Sequence, residues 1–158
     1  MSNKDILEQS RVIGVVYVVL IIGLIIIFAI ALIIVKNKNI EPIQPINDIF
    51  KLLIPIAGFV VMFFARTIYN KNVSSVNYND ELLAKIIKYR NFKIIQWALV
   101  ESVGLLSIVG FIITGNYIYA IVFLFMLGYF ILIKPSKEQF FRDFKISHEQ
   151  KIMFSNSQ

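Results

Sequence analysis

Residues 12–35 read VIGVVYVVLIIGLIIIFAIALIIV, an apolar run without a single charge. As a helix it rises about 36 Å at about 1.5 Å per residue, and about 20 apolar residues suffice to cross a bilayer's hydrocarbon core. A helix that is apolar all round has no polar face to give to water, so it needs other helices or lipid on every side. The remainder of the chain is too small and too greasy to wrap it. Of 158 residues, 58% are hydrophobic and 16% charged, and the mean hydropathy is +0.73. A soluble domain carries about 25% charged residues. The composition therefore specifies a polytopic membrane protein of the all-α class.

Three further runs have span character. LLIPIAGFVVMFFA begins at Leu52, and apolar residues extend it to about 49–69. The third covers 94–114 and the fourth, without a charge, 117–133. The expected architecture is one membrane domain over 1–158, with four transmembrane helices near 12–35, 49–69, 94–114 and 117–133 arranged as two hairpins. A cytoplasmic loop, 70–93, and a cytoplasmic tail, 134–158, would supply amphipathic helices. The first run reads as a permanent span, not a signal peptide. Its flank mixes Lys4, Asp5, Glu8 and Arg11, and more apolar residues follow Ala29-Ile30-Ala31 where a cleavage region would be polar. With no cysteine there is no disulfide and no thiolate metal site. Heavy use of Ile, Lys, Asn and Phe suits an AT-rich bacterial genome.

Orientation follows from Lys and Arg, which stay on the cytoplasmic side. With four spans, the N-terminus, the middle loop and the tail share one side. That side holds thirteen of the sixteen bases, and only Lys36, Lys38 and Lys51 lie on the other. Both termini are expected in the cytoplasm, and the bilayer expected is the inner membrane. The net charge of +6 and pI near 9.6 then reflect topology and anionic headgroups, and no nucleic-acid partner is expected.

Local signals fill in the connections. Pro42 and Pro45 favour turn or extended geometry in the outer loop. Asp48 and Lys51 have the spacing of an interfacial ion pair, and Pro55 with Gly58 makes span two a candidate for a kink. The stretch NKNVSSVNYN is turn-rich. Asn79-Asp80 then opens an amphipathic helix that lies at the inner surface or runs straight into span three, and whose Lys85, Lys88 and Lys93 would face headgroups. Gly115-Asn116 forces spans three and four into a hairpin, with Tyr117 and Tyr119 at the outer interface. In the tail, Ser136 with Gln139 has capping-box spacing, repeated by Ser147 with Gln150. Phe140, Phe141 and Phe144 share one face of a short helix that would lie on the membrane or dock a partner.

Glu101 is the one acid within the third run. It sits about 10 Å inside the cytoplasmic end of that span, where a charge costs several kcal/mol and is paired, protonated or wetted. It is the ion-binding candidate. Gly104, Ser107 and Gly110 on the same helix are the helix-packing candidates, since small residues let backbones approach in lipid. No catalytic set can be built from one tail histidine, His148, and no metal-ligand cluster or phosphate-binding glycine loop is present. Catalysis, metal and cofactors are not expected.

ALVESVGLLSIVGFII, residues 98–113, resembles the carboxylate helix of the rotor-ring subunit c of rotary ATPases. That resemblance implies a proton or sodium carrier at Glu101. The chain departs from the pattern in span two, which offers only Gly58, and in the long loop from Arg66 to Lys93. More widely, Trp97-Ala98-Leu99, Thr114-Gly115-Asn116 and Lys134-Pro135-Ser136 are similar in order to uncharacterised small four-span bacterial membrane proteins. Two functions are in play: a structural or accessory membrane subunit whose buried carboxylate hydrogen-bonds across the bundle to Gln96, Ser102, a tyrosine or a subunit neighbour, or a proton- or cation-handling subunit using Glu101. Expected partners are the lipid bilayer and either a second copy of the chain or another membrane protein, met through spans three and four.

Overall fold

The computed structural model describes residues 3–37 and 44–156. Among these there are six helices and no strand: α1 (Asn3–Asn37), α2 (Gln44–Ser74), α3 (Leu82–Thr114), α4 (Tyr117–Leu132), α5 (Lys137–Asp143) and α6 (His148–Asn156). Helices α1, α2 and α3 are each long and apolar enough to cross a membrane; α4 qualifies only together with α5, from which it bends by 70°. Lys38 and Pro42 lie outside the described residues. Pro45 does not break the chain into a turn. It falls in the first turn of α2, where its missing N–H has no helical partner to lose.

The organising element is α3. Helices α1, α2 and α4 all pack against it, and α1 with α2 does not form a packed hairpin of its own among the described residues. The expected pair of hairpins is therefore corrected to one hairpin, α3–α4, with α1 and α2 laid on it. The reason is side-chain size. Ser107 and Gly110 on α3 are buried, and the missing Cβ of Gly110 would sit 3.0 Å from Ile54 of α2 and 3.3 Å from Tyr119 of α4. The Gly104 position meets Leu24 of α1 and Phe123 of α4. The outer faces of α1 and α2 instead carry bulky residues such as Val19, Ile33, Leu52 and Phe63, all at least half exposed.

The α3–α4 hairpin closes as its sequence indicates. Gly115 takes a left-handed φ of 64° and its N–H donates to the Phe111 carbonyl at 2.8 Å, closing the last turn of α3. The Asn116 side chain then accepts the Ile118 N–H at 3.1 Å to start α4. Tyr117 is exposed, but Tyr119 is fully buried against α3, so only the first of the two tyrosines is free to line an interface.

At the other end of the bundle the connections are ordered. α2 runs on to Ser74, five residues past the expected end of span two, and a set of turns leads to α3. Asp80 does not cap that helix. Glu81 stands at the N-cap without a side-chain bond, while Asp80 pairs with Lys88 at 2.6 Å. α3 continues unbroken from the amphipathic segment into the apolar one.

Candidate functional site

Polar chemistry concentrates where α3 begins and α2 and α4 end. Three of its residues recur along one face of α3, Tyr89, Lys93 and Gln96, at the four- and three-residue steps that keep helix side chains aligned. All three are buried. Lys93 is 1% exposed; its Nζ donates to Gln96 Oε1 and to the Ile133 carbonyl, both at 3.2 Å. The ammonium also lies 4.7 Å from the centroid of the Tyr69 ring and 5.9 Å from that of Tyr89. Among the described residues, no carboxylate is within ion-pair distance of it. Two charge-assisted hydrogen bonds and two ring faces take over from water, and each kind of contact is worth about 1–3 kcal/mol when desolvated.

The tail roofs this cluster. Tyr69 donates to Asp143 Oδ2 at 2.8 Å and accepts from Gln139 Nε2 at 3.3 Å, joining the end of α2 to α5. Trp97, with no exposed surface, donates Nε1–H to the Ile133 carbonyl at 3.3 Å. Ser136 accepts the Gln139 N–H as the expected N-cap of α5, but its own N–H goes to the Tyr89 hydroxyl, so only half the capping box forms. At Ser147 and Gln150 the box is complete in both directions. Phe140 and Phe144 are buried against Tyr89, Phe92 and Phe154. The aromatic face read as a membrane or partner surface is thus covered by the chain's own α3 and α6.

The lysine expectations change accordingly. Lys85 and Lys93 do not face headgroups: α2, the 75–80 turns and the tail cover them. Lys85 Nζ donates to the Tyr78 carbonyl at 2.8 Å and to Gln150 Oε1 at 3.1 Å, stapling α3 to the turn and to α6. Lys88 remains half exposed. Its bond to Asp80 holds that carboxyl below the usual carboxylate range. His148 is exposed on α6.

A polar cleft of about 520 Å³ opens beside Lys93. Its floor is α3, its walls are the ends of α2 and α4, and its roof is α5. Four bases line it, Arg66, Lys93, Lys134 and Arg142, against two acids, Glu138 and Asp143.

Glu101 stands apart, two turns further along α3. It is half-buried and has no hydrogen-bond or ion-pair partner among the described residues; Ala98 and Ser102 beside it are exposed. Gln96 and Ser102 do not reach it: the first is held by Lys93, and the second donates to the Leu99 carbonyl. The small residues on the same helix are used within the chain. Ser107 is buried and bonds back to the Val103 carbonyl, while Gly104 and Gly110 face α1, α2 and α4. The residues singled out in the sequence therefore do not converge. Gly104, Ser107 and Gly110 line the inside of the bundle, Glu101 its partly open flank, and the densest polar cluster is the one around Lys93. The Tyr89, Lys93, Gln96 spacing was the available signal for it. No family model, curated protein or solved structure matches this chain.

Proposed function

We propose that this chain is a four-span integral membrane protein with both termini in the cytoplasm, serving as a non-catalytic accessory subunit. The girdle of exposed Val, Ile, Leu and Phe on α1, α2 and α4 supports the membrane reading, because soluble monomers rarely leave so large an apolar surface in water. The polar, base-rich end carrying α5 and α6 is the cytoplasmic one. Retention in the membrane fraction after alkaline carbonate, with release only by detergent, tests this part.

One observation carries the subunit reading: among the described residues Glu101 has no partner, although it lies within an apolar span. A donor from a second helix satisfies such a group at less cost than lipid does. Exposed Ala98 and Ser102, one turn apart, leave space for that helix to come close. The partner is a second copy or another membrane protein. Because the chain has no cysteine, Ser102→Cys gives a single reporter. Labelling that thiol with a photoreactive maleimide and irradiating native membranes should yield one discrete adduct, lost in Glu101→Leu and retained in Glu101→Gln. No adduct at Ser102→Cys or Ala98→Cys would overturn the reading.

Ion handling is the second reading, favoured by the same unpartnered carboxyl, which is open on one flank. It requires Glu101→Gln to stop proton or sodium flux in proteoliposomes while leaving assembly intact.

A further inference from the structure

The cleft beside Lys93 and a groove further along the bundle are both lined by α2 and α4. Arg66 and Lys134 stand at the cleft's rim, both exposed, and neither has an ion-pair partner among the described residues. Arg142 is held by Asp143 at 3.2 Å, and Asp143 is also bonded by Tyr69. Lys93 adds a buried cation without a carboxylate. Of the two lining acids, Glu138 has no ion-pair partner among the described residues, and against Arg66, Lys93 and Lys134 it leaves the cleft an excess of positive charge. Its lower wall turns apolar at Leu132, which is 81% exposed.

Further along the same two helices is an apolar groove of about 180 Å³ between Pro55, Gly58 and Phe59 of α2 and Ile121, Phe125 and Met126 of α4. From Arg66 to Phe59 is seven residues, about 10 Å of helix. Gly58 lines the groove, and a Cβ there would sit 3.4 Å from Met126 Sδ. Cationic donors in the cleft and, past the Tyr129 hydroxyl that donates to the Met62 carbonyl at 3.5 Å, an apolar groove on the same two helices match a molecule with an anionic head and a hydrocarbon tail.

We propose that this cleft and groove bind one anionic phospholipid, its phosphate between Arg66, Lys134 and Lys93 and an acyl chain along the α2–α4 groove. Basic pockets between helices on the cytoplasmic side are suited to such headgroups. The proposal rests on the membrane reading above. It adds a lipid cofactor on the α2–α4 side, and it involves neither Glu101 nor the face carrying Ser102.

The test is native mass spectrometry of the full chain in mild detergent, titrated with phosphatidylglycerol, phosphatidylcholine or sn-glycerol 3-phosphate. Phosphatidylglycerol should bind at one per chain, at least about tenfold more tightly than phosphatidylcholine. Arg66→Gln with Lys134→Gln should erase that preference, and Lys71→Gln with Lys151→Gln, bases of the same end outside the cleft, should preserve it. These rim substitutions alter exposed side chains, so folding is not at issue. Equal affinity for the two lipids, or a preference that survives the rim variant, would overturn the proposal. So would sn-glycerol 3-phosphate binding as tightly as phosphatidylglycerol, because the groove would then contribute nothing. A chain that washes off membranes in carbonate refutes the membrane reading itself; one that stays but shows no headgroup preference refutes only the lipid site.

Discussion

The Lys93 ammonium lies 4.7 Å from the centroid of the Tyr69 ring, and the lysine is 1% exposed. The ring serves as a face for the cation, while its hydroxyl donates to Asp143 and so ties α2 to α5. The two roles separate by substitution. Tyr69→Phe keeps the face and loses the bond to a charged acceptor, costing about 1–2 kcal/mol in thermal unfolding in detergent. Tyr69→Leu loses both and should cost about 1–2 kcal/mol more. Equal costs would show that the cation–ring contact contributes nothing.

Glycines in this chain differ by what surrounds them. Gly23 on α1 has open space where a Cβ would go, whereas Gly110 has Ile54 at 3.0 Å and Tyr119 at 3.3 Å. Gly23→Ala should be neutral or stabilise by up to about 1 kcal/mol through helix propensity. Gly110→Leu forces three helices apart and should destabilise by about 1–3 kcal/mol or more. The comparison needs only melting temperatures in one detergent.

Asp80, in the turn before α3, pairs with Lys88 of α3 at 2.6 Å. The folded carboxyl is held below its ordinary value, so the pair's contribution is present above the unfolded pKa and fades as pH falls through the folded one. An NMR titration should place Asp80 below a free aspartate, and Lys88→Gln should move it up towards the ordinary range. An unchanged midpoint in that variant would assign the shift to another group.

Since Glu101 has no partner among the described residues, removing it breaks no polar contact that they make. Glu101→Leu should leave the unfolding temperature of detergent-solubilised monomer unchanged or raise it, while abolishing the Ser102→Cys adduct. A monomer destabilised by more than about 1 kcal/mol, the worth of a typical hydrogen bond, would reveal an internal partner.

The features legible in the sequence are those set by neighbours along the chain. Apolar runs marked α1 to α4; Asp48 and Lys51 pair at 3.6 Å; Gly115 turns the hairpin; Ser136 and Ser147 cap α5 and α6. The burial of Lys85 and Lys93 was not legible. A lysine beside a span ordinarily snorkels to water, and here its covering groups come from far away in the chain: Ile133 lies 40 residues from Lys93 and Gln150 lies 65 from Lys85. The same holds for Phe140 and Phe144, whose spacing is equally suited to lipid or to protein. Helical periodicity identifies an apolar face, but tertiary contact decides what covers it. The central position of α3 was half legible, in the small residues at 104, 107 and 110, which indicate close approach but not by which helix.

Single-cysteine labelling in intact cells bears most directly on the four-span arrangement, because the wild-type chain offers no thiol of its own. Tyr117→Cys reports the α3–α4 turn and Ser155→Cys the end of α6, and both positions are exposed. Four spans with cytoplasmic termini predict that a membrane-impermeant maleimide labels Tyr117→Cys in intact cells and Ser155→Cys only after permeabilisation. Labelling of Ser155→Cys with protection of Tyr117→Cys would invert the orientation, and labelling of both in intact cells would contradict the four-span arrangement itself.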